Sequence, residues 1–258
     1  MNNDKKVRFI SENKAAELLQ VSISTIKNFI AKGIVRALKT PKGKFFVSRN
    51  DLATFSDMDS VGIRDQRSLL SILEEFLSAL ESHQQFCRTH SKTVAKISVK
   101  IAHSMGFSAK QMHRLYFAAM FHDIGLIRIK PEIVNKRQEL SAHEYDIIKT
   151  HSVLGEQTLY SFPHIKNLAH IVRQHHERVD GRGYPDSVNR HKICEEAKII
   201  ALADAFACMT ANDYYKEPFS VEAAINEIKN NAGTQFDLRV TDMFLKVKKD
   251  DVLQNTAA

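Results

Sequence analysis

Glycine and proline are scarce in this chain, 9 and 5 among 258 residues, which argues against an all-β fold and favours helices. Hydrophobic runs are short. None approaches the roughly 20 residues needed to span a bilayer. The most apolar stretch, Ile199 to Met209, is too short and contains Asp204, so no membrane partner is expected. Lys5, Lys6 and Arg8 are followed by no apolar segment, so no secretory leader is expected either. Cysteine is limited to Cys87, Cys194 and Cys208, without paired spacing. Reduced thiols and a cytoplasmic location are the expectation.

What is present reads as an ordinary soluble protein, 43% hydrophobic and 26% charged, long enough for one large domain or a domain plus a small module. The net charge of +7 is unevenly placed: residues 1–55 hold eleven Lys/Arg against four Asp/Glu, and the remainder balances. A basic module attached to a neutral domain points to a polyanion partner for the module alone.

Within residues 1–56, Ser11 can cap a helix whose apolar face is Ala15, Ala16, Leu18 and Leu19. After a turn at Gln20-Val21-Ser22, a second helix carries Ile23, Ile26, Phe29 and Ile30 inward and Thr25, Lys27 and Asn28 outward, and Gly33 ends it. Two β-like runs, Ile34 to Leu38 and Phe45 to Val47, flank a turn containing Lys39, Lys42 and Lys44. Helix, turn, helix and basic hairpin, in that order, resemble the excisionase and MerR-like winged helix-turn-helix domains, with Gln20 where that family usually has Gly. The resemblance implies DNA contacts from Ser24, Thr25, Lys27, Asn28, Lys39, Lys42 and Lys44. A small protein-interaction module with solvated lysines is the competing reading.

Residues 57–67 read as a linker. From Ser68 a helical period takes over, and Leu69, Leu70, Ile72, Leu73, Phe76, Leu77 and Leu80 form a stripe suited either to a core or to a homodimer through helix 68–85. Later helices each carry His or Asp into apolar surroundings: His90, His122 with Asp123, His151, His175 with His176, and Asp204. Buried imidazoles and carboxylates are costly unless paired, and a metal is a common partner. Seven such residues suffice for two ions if one carboxylate bridges, and Asp123 is the natural bridge. Gly125 reads as the stop of the helix that ends in His122-Asp123. Successive helical residues diverge by about 100°, so His175 and His176 would face different sides of the site.

His122-Asp123, His175-His176-Glu177 and Asp180-Gly181-Arg182-Gly183-Tyr184-Pro185 resemble the HD-GYP subfamily of HD-domain phosphohydrolases. Thr89-His90-Ser91, His151 with Gly155, Asp204-Ala205-Phe206 and Gly233 to Asp237 support the match over about residues 65–248. The resemblance implies a mainly α fold, an all-α HD-domain helical bundle (residues 68–258) behind the small winged helix-turn-helix domain with its short β-hairpin. It implies two divalent ions (Fe, Mn, Ni or Zn): one on His90, His122, Asp123 and Asp204, the other on Asp123, His151, His175 and His176. Asp123 is the catalytic residue of that scheme. Arg182, Gly183, Tyr184, Pro185 and Lys216 would meet the substrate, cyclic di-GMP or a related cyclic dinucleotide.

Leu126 stands where the family usually has Lys, and Asp213 where it has Arg. Phe86 replaces a Glu associated with a third metal. Glu177 is expected to orient a ligand His, and Tyr184 and Pro185 to shape a loop at the site's mouth. His83, His103, His113, His143, His164, His170 and His191 read as surface or satisfied residues. Three functions follow: a metal-dependent cyclic di-GMP phosphodiesterase coupled to DNA binding, a nucleotide sensor that regulates DNA binding without turnover, or a metal-stabilised scaffold.

Overall fold

The computed structural model describes residues 9–18, 36–40, 43–48, 87–162, 165–211 and 217–256, with residues 23, 26, 27 and 30. Ser24, Thr25, Asn28, Phe29, Lys42, the linker 57–67, helix 68–85 with its homodimer, His83, Phe86, His164, Asp213 and Lys216 lie outside the described residues. Two compact units emerge, one built on the N-terminal elements with Phe107–His113, the other on Glu75–Gly106 and Arg114 onward.

In the first unit, β1 (Phe9–Ser11) leads directly into α1 (Glu12–Leu18), and Ser11 Oγ accepts from the Lys14 N–H at 3.2 Å, as a cap should. Ala15 and Ala16 are buried, as the periodicity predicts. Ile26 is fully buried, as expected, whereas Ile23, expected to face inward, is 41% exposed. β2 (Ala37–Lys39) and β3 (Phe45–Ser48) form the expected antiparallel hairpin, and β1 adds to the other edge of β3, giving the order β1-β3-β2. Thr40 closes the turn by accepting from the Gly43 N–H at 2.9 Å, and Gly43 takes φ +79°, a conformation glycine adopts without strain. Sequence alone missed β1, a three-residue strand too short for period-2 alternation to register.

The second unit is helical. Its elements are α2 (Cys87–Ser104), α3 (Ala109–Phe121, which belongs to this unit from Arg114), α4 (Pro131–Val134), α5 (Ala142–Lys149), α6 (His151–Tyr160), α7 (Ala169–Gln174), α8 (Glu195–Thr210), α9 (Val221–Asn230) and α10 (Leu238–Thr256), with 3₁₀ turns at Ile124–Arg128 and Lys166–Leu168. A capping box opens α5: Ser141 Oγ accepts from Glu144 N–H at 3.2 Å, and Glu144 accepts from Ser141 N–H at 2.7 Å. α8 is apolar nearly all round, and Ala197, Ile199, Ile200, Leu202, Ala203, Phe206 and Ala207 are buried, as befits a central helix. It packs against α2 and α10, with Phe206 edge-on to Phe244 at 5.0 Å between ring centroids. α6 packs on α7 and on the first 3₁₀ turn. No described helix is long and apolar enough to cross a membrane.

Gly125 does not stop a helix. α3 already ends at Phe121, and Gly125 lies buried in the 3₁₀ turn. A Cβ there would sit 1.9 Å from the His151 carbonyl oxygen and 2.6 Å from Gly155 N. The glycine is needed for backbone contact with α6, which brings His122-Asp123 against His151.

Candidate metal centre

Five chain segments deliver the cluster. His90 comes from α2, His122 and Asp123 from the turn after α3, His151 from the first residue of α6, His175 and His176 from the turn after α7, and Asp204 from the middle of α8. Asp123, His151, His175 and His176 form one group of converging donor atoms, and His90, His122 and Asp123 another. Asp123 belongs to both. Its Oδ2 lies 3.2 Å from His122 Nε2 and its Oδ1 lies 3.5 Å from His151 Nε2. Asp204 Oδ1 is 2.9 Å from His90 Nε2 and 3.8 Å from His122 Nε2.

His175 and His176 converge instead of diverging, with ring centroids 4.1 Å apart. The 100° rule fails because α7 ends at Gln174, so the two residues sit in a turn beyond regular helix.

Three rings share one tautomeric constraint. Nδ1 of His122 donates to the Ala119 carbonyl at 2.7 Å, that of His151 to Ile148 at 2.7 Å, and that of His175 to Val172 at 2.5 Å. A carbonyl only accepts, so each Nδ1 carries the proton and each Nε2 presents either a lone pair or a second proton to the centre. Nε2 of His151 and Nε2 of His175 face each other at 3.1 Å. Two bare lone pairs at that distance repel, so the pair calls for a shared proton or a cation between the rings. The donor set of imidazoles and carboxylates fits a divalent transition metal.

Electrostatics agree. Burial pushes His175 well below the ordinary imidazole value, and the neighbouring rings push the same way. Burial likewise takes His176 down to about 4. Burial would lower His122 too, but the Asp123 and Asp204 carboxylates raise it to about 9. Burial would raise Asp123, yet His122, His151 and His90 hold it well below the usual carboxylate range.

The loop after the cluster is fastened on several sides. Glu177 does not orient a ligand histidine; its buried carboxylate accepts from Asp186 N–H at 2.7 Å and Val188 N–H at 3.1 Å. Arg173 grips Asp186 through two 2.6 Å bonds and Glu156 through another. Asp180 N–H donates to the Thr234 carbonyl at 2.9 Å, and Arg178 reaches Gln235 at 2.8 Å, which gives Gly233 to Asp237 a physical role. Gly183 packs on the backbone of 176–178, where a Cβ would lie 2.3 Å from Arg178 N. This holds Tyr184 stacked on His176, centroids 4.7 Å apart and planes 28° from parallel. Pro185 follows Tyr184 on the same loop, half-buried, and Arg182 is exposed. Leu126 is 7% exposed and belongs to the core. The residue that sequence reasoning passed over is Cys208, whose thiol donates to Asp204 Oδ1 at 3.4 Å; its i,i+4 spacing from Asp204 was the available signal.

A family profile described as "HD domain" matches residues 76–240, more than half of the chain. A cyclic di-GMP phosphodiesterase of Thermotoga maritima is 31% identical over 246 residues, 94% of this chain and 65% of that protein. The 3'3'-cGAMP-specific phosphodiesterase 3 of Vibrio cholerae is 30% identical over 72% of this chain and 40% of its own length. The chain thus spans less than two thirds of either relative. Among solved structures, Bd1817, an HDG"Y"P protein from Bdellovibrio bacteriovorus, superposes with a TM-score of 0.52 at 20% identity, covering 62% of this chain and 51% of that one. The cyclic GMP-AMP-specific phosphodiesterase V-cGAP3 of V. cholerae gives 0.52 at 18% identity, over 69% and 48%. At these identities the structures share the fold.

Proposed function

Because the chain belongs to the HD-domain family, we propose that it is a metal-dependent phosphodiesterase acting on a cyclic dinucleotide, cyclic di-GMP foremost. One observation carries the proposal: imidazole Nε2 atoms, their Nδ1 protons committed to backbone carbonyls, converge on Asp123. His90, His122, Asp123 and Asp204 would hold one divalent ion, and Asp123, His151, His175 and His176 the other. Such a pair, when bound, supplies Lewis acidity and an activated water for attack on a phosphodiester. The chain's own residues do the rest. Asp123 spans the two ligand groups with separate oxygens. The backbone carbonyls that hold the Nδ1 protons aim the rings, so that each Nε2 faces the centre. Tyr184, stacked on His176, borders the site and offers an aromatic face, and the exposed Arg182, two residues before it, would supply a fork for phosphate oxygens.

Metal analysis of purified protein, with cyclic di-GMP and 3'3'-cGAMP followed by chromatography beside Asp123→Ala, tests this reading. Turnover that Asp123→Ala abolishes, together with lost metal, is the expected outcome. One observation favours a second reading, a sensor that binds without turnover: Leu126 is buried and apolar where the HD-GYP resemblance expects a phosphate-binding Lys. Metal-loaded protein that binds the nucleotide and leaves it intact would select the sensor.

The N-terminal module is proposed to bind DNA, supported by the exposed Lys27, Lys39 and Lys44 and the basic hairpin. Affinity for duplex DNA should fall steeply with salt through counterion release, and weak, salt-independent binding would refute it.

A further inference from the structure

Cys208 lies one helical turn beyond Asp204 on α8, on the same face. Its Sγ is 3.4 Å from Asp204 Oδ1, the oxygen that is itself 2.9 Å from His90 Nε2. The donor atoms of His90, Asp204 and Cys208 all lie within 4.8 Å of one another, an imidazole, a carboxylate and a thiol gathered as ligands of one ion are. Two of these donors are fixed by packing: His90 sits on α2 and Asp204 on α8, two helices in direct contact. Cys208 itself is exposed, so its sulfur can swing toward an ion at modest cost.

We propose that Cys208 is a thiolate ligand to the ion at the His90–Asp204 end of the centre. The inference rests on the metal reading above and extends it. On binding, the S–H proton that now points at Asp204 leaves to solvent, and the sulfur takes its place as a donor. The two ends of the centre then differ in kind. The His151–His175–His176 end offers nitrogen and oxygen only, whereas the His90 end adds a soft sulfur that favours zinc or iron over magnesium or manganese.

Cobalt(II) reconstitution tests this without reference to activity. Cobalt-loaded wild-type protein should show an intense near-ultraviolet sulfur-to-cobalt charge-transfer band. Cys208→Ser should lose the band, and Cys194→Ser should keep it. Bound cobalt without the band, or a band that survives in Cys208→Ser, overturns the inference and leaves the metal centre standing. Failure to bind cobalt at all overturns the metal reading and the ligand with it. A second measurement needs no variant. Labelling of Cys208 by a thiol reagent, followed by mass spectrometry, should be at least tenfold slower in metal-loaded than in chelator-treated protein, and equal rates would refute coordination.

Discussion

His122, His151 and His175 are each turned by a hydrogen bond to the carbonyl three residues earlier, at Ala119, Ile148 and Val172. That spacing is a property of the last turn of a helix or the first turn of the next, so local backbone geometry orients each ring. What brings the rings together is a pair of glycines. Gly125 and Gly155 let the 3₁₀ turn rest on α6 with almost nothing between their backbones. A Cβ at Gly125 would meet backbone that has no means of yielding, 1.9 Å from the His151 carbonyl oxygen. At Gly155 it would meet a Val172 methyl at 2.8 Å, the end of a side chain that can shift. Gly125→Ala should therefore cost about 3 kcal/mol or more, and Gly155→Ala about 1–2 kcal/mol. Thermal unfolding checks the order; the first should fall on the order of 10 °C and the second much less. Equal effects would mean that the backbone contact is not what positions His151.

At the level of elements, the loop from Arg178 to Val188 has little regular structure, yet it presents Tyr184 to His176. Its order comes from outside: the Glu177 carboxylate under its far end, Arg173 on Asp186, and the Thr234–Gln235 turn on Val179 and Asp180. Glu177→Gln keeps the shape but replaces an acceptor with an N–H donor, leaving one of the two backbone N–H groups facing another donor. A loss of about 1–3 kcal/mol is expected. Limited proteolysis should become faster within 178–188, and the Michaelis constant should rise more than turnover falls, because the metal ligands are untouched. Unchanged proteolysis would show that Arg173 and the 234–235 turn suffice.

These elements also mark what sequence can and cannot reveal. His122-Asp123 and Asp204 were legible because polar residues end or interrupt apolar runs there, and the HD-GYP resemblance joined His90, His151, His175 and His176 to them. The role of Glu177 was not, since its partners are backbone N–H groups nine and eleven residues away, invisible to any side-chain pattern. The convergence of His175 and His176 was hidden by a helix that stops one residue before them. Gly125 was recognised as special for the wrong reason, because a helix stop and a close backbone approach leave the same letter. Cys208 had the right spacing from Asp204, but only the packing of α8 on α2 shows that His90 lies beside it.

For the molecule as a whole, gathering this many ionisable groups in one interior has a consequence for stability. In the metal-free protein burial holds His176 down to about 4, and His175 is also depressed. An unfolded chain takes up those protons near the ordinary value of 6.5, whereas the fold refuses the His176 proton until about pH 4 and disfavours the His175 proton in the same direction. Their contribution is therefore complete above pH 6.5 and is lost as pH falls below it, on the order of 3 kcal/mol for His176 alone. His122 runs the other way. Its value is raised to about 9, so its contribution is complete below 6.5 and is lost as pH rises through 9. The two arms give the metal-free protein a stability maximum near pH 6.5. On the metal reading, a bound ion would take the place of the His122 proton as the partner of Asp123 and Asp204 and would remove the alkaline arm. The acid arm steepens, because protonating the imidazoles also releases the metal. Thermal midpoints of chelator-treated and metal-loaded protein from about pH 5 to pH 9 should separate on the alkaline side and converge on the acid side. A metal-free profile that is flat between pH 6.5 and 9, or a metal-induced gain that is largest at pH 5, would contradict the assignment of His122 and the two carboxylates to a shared cation.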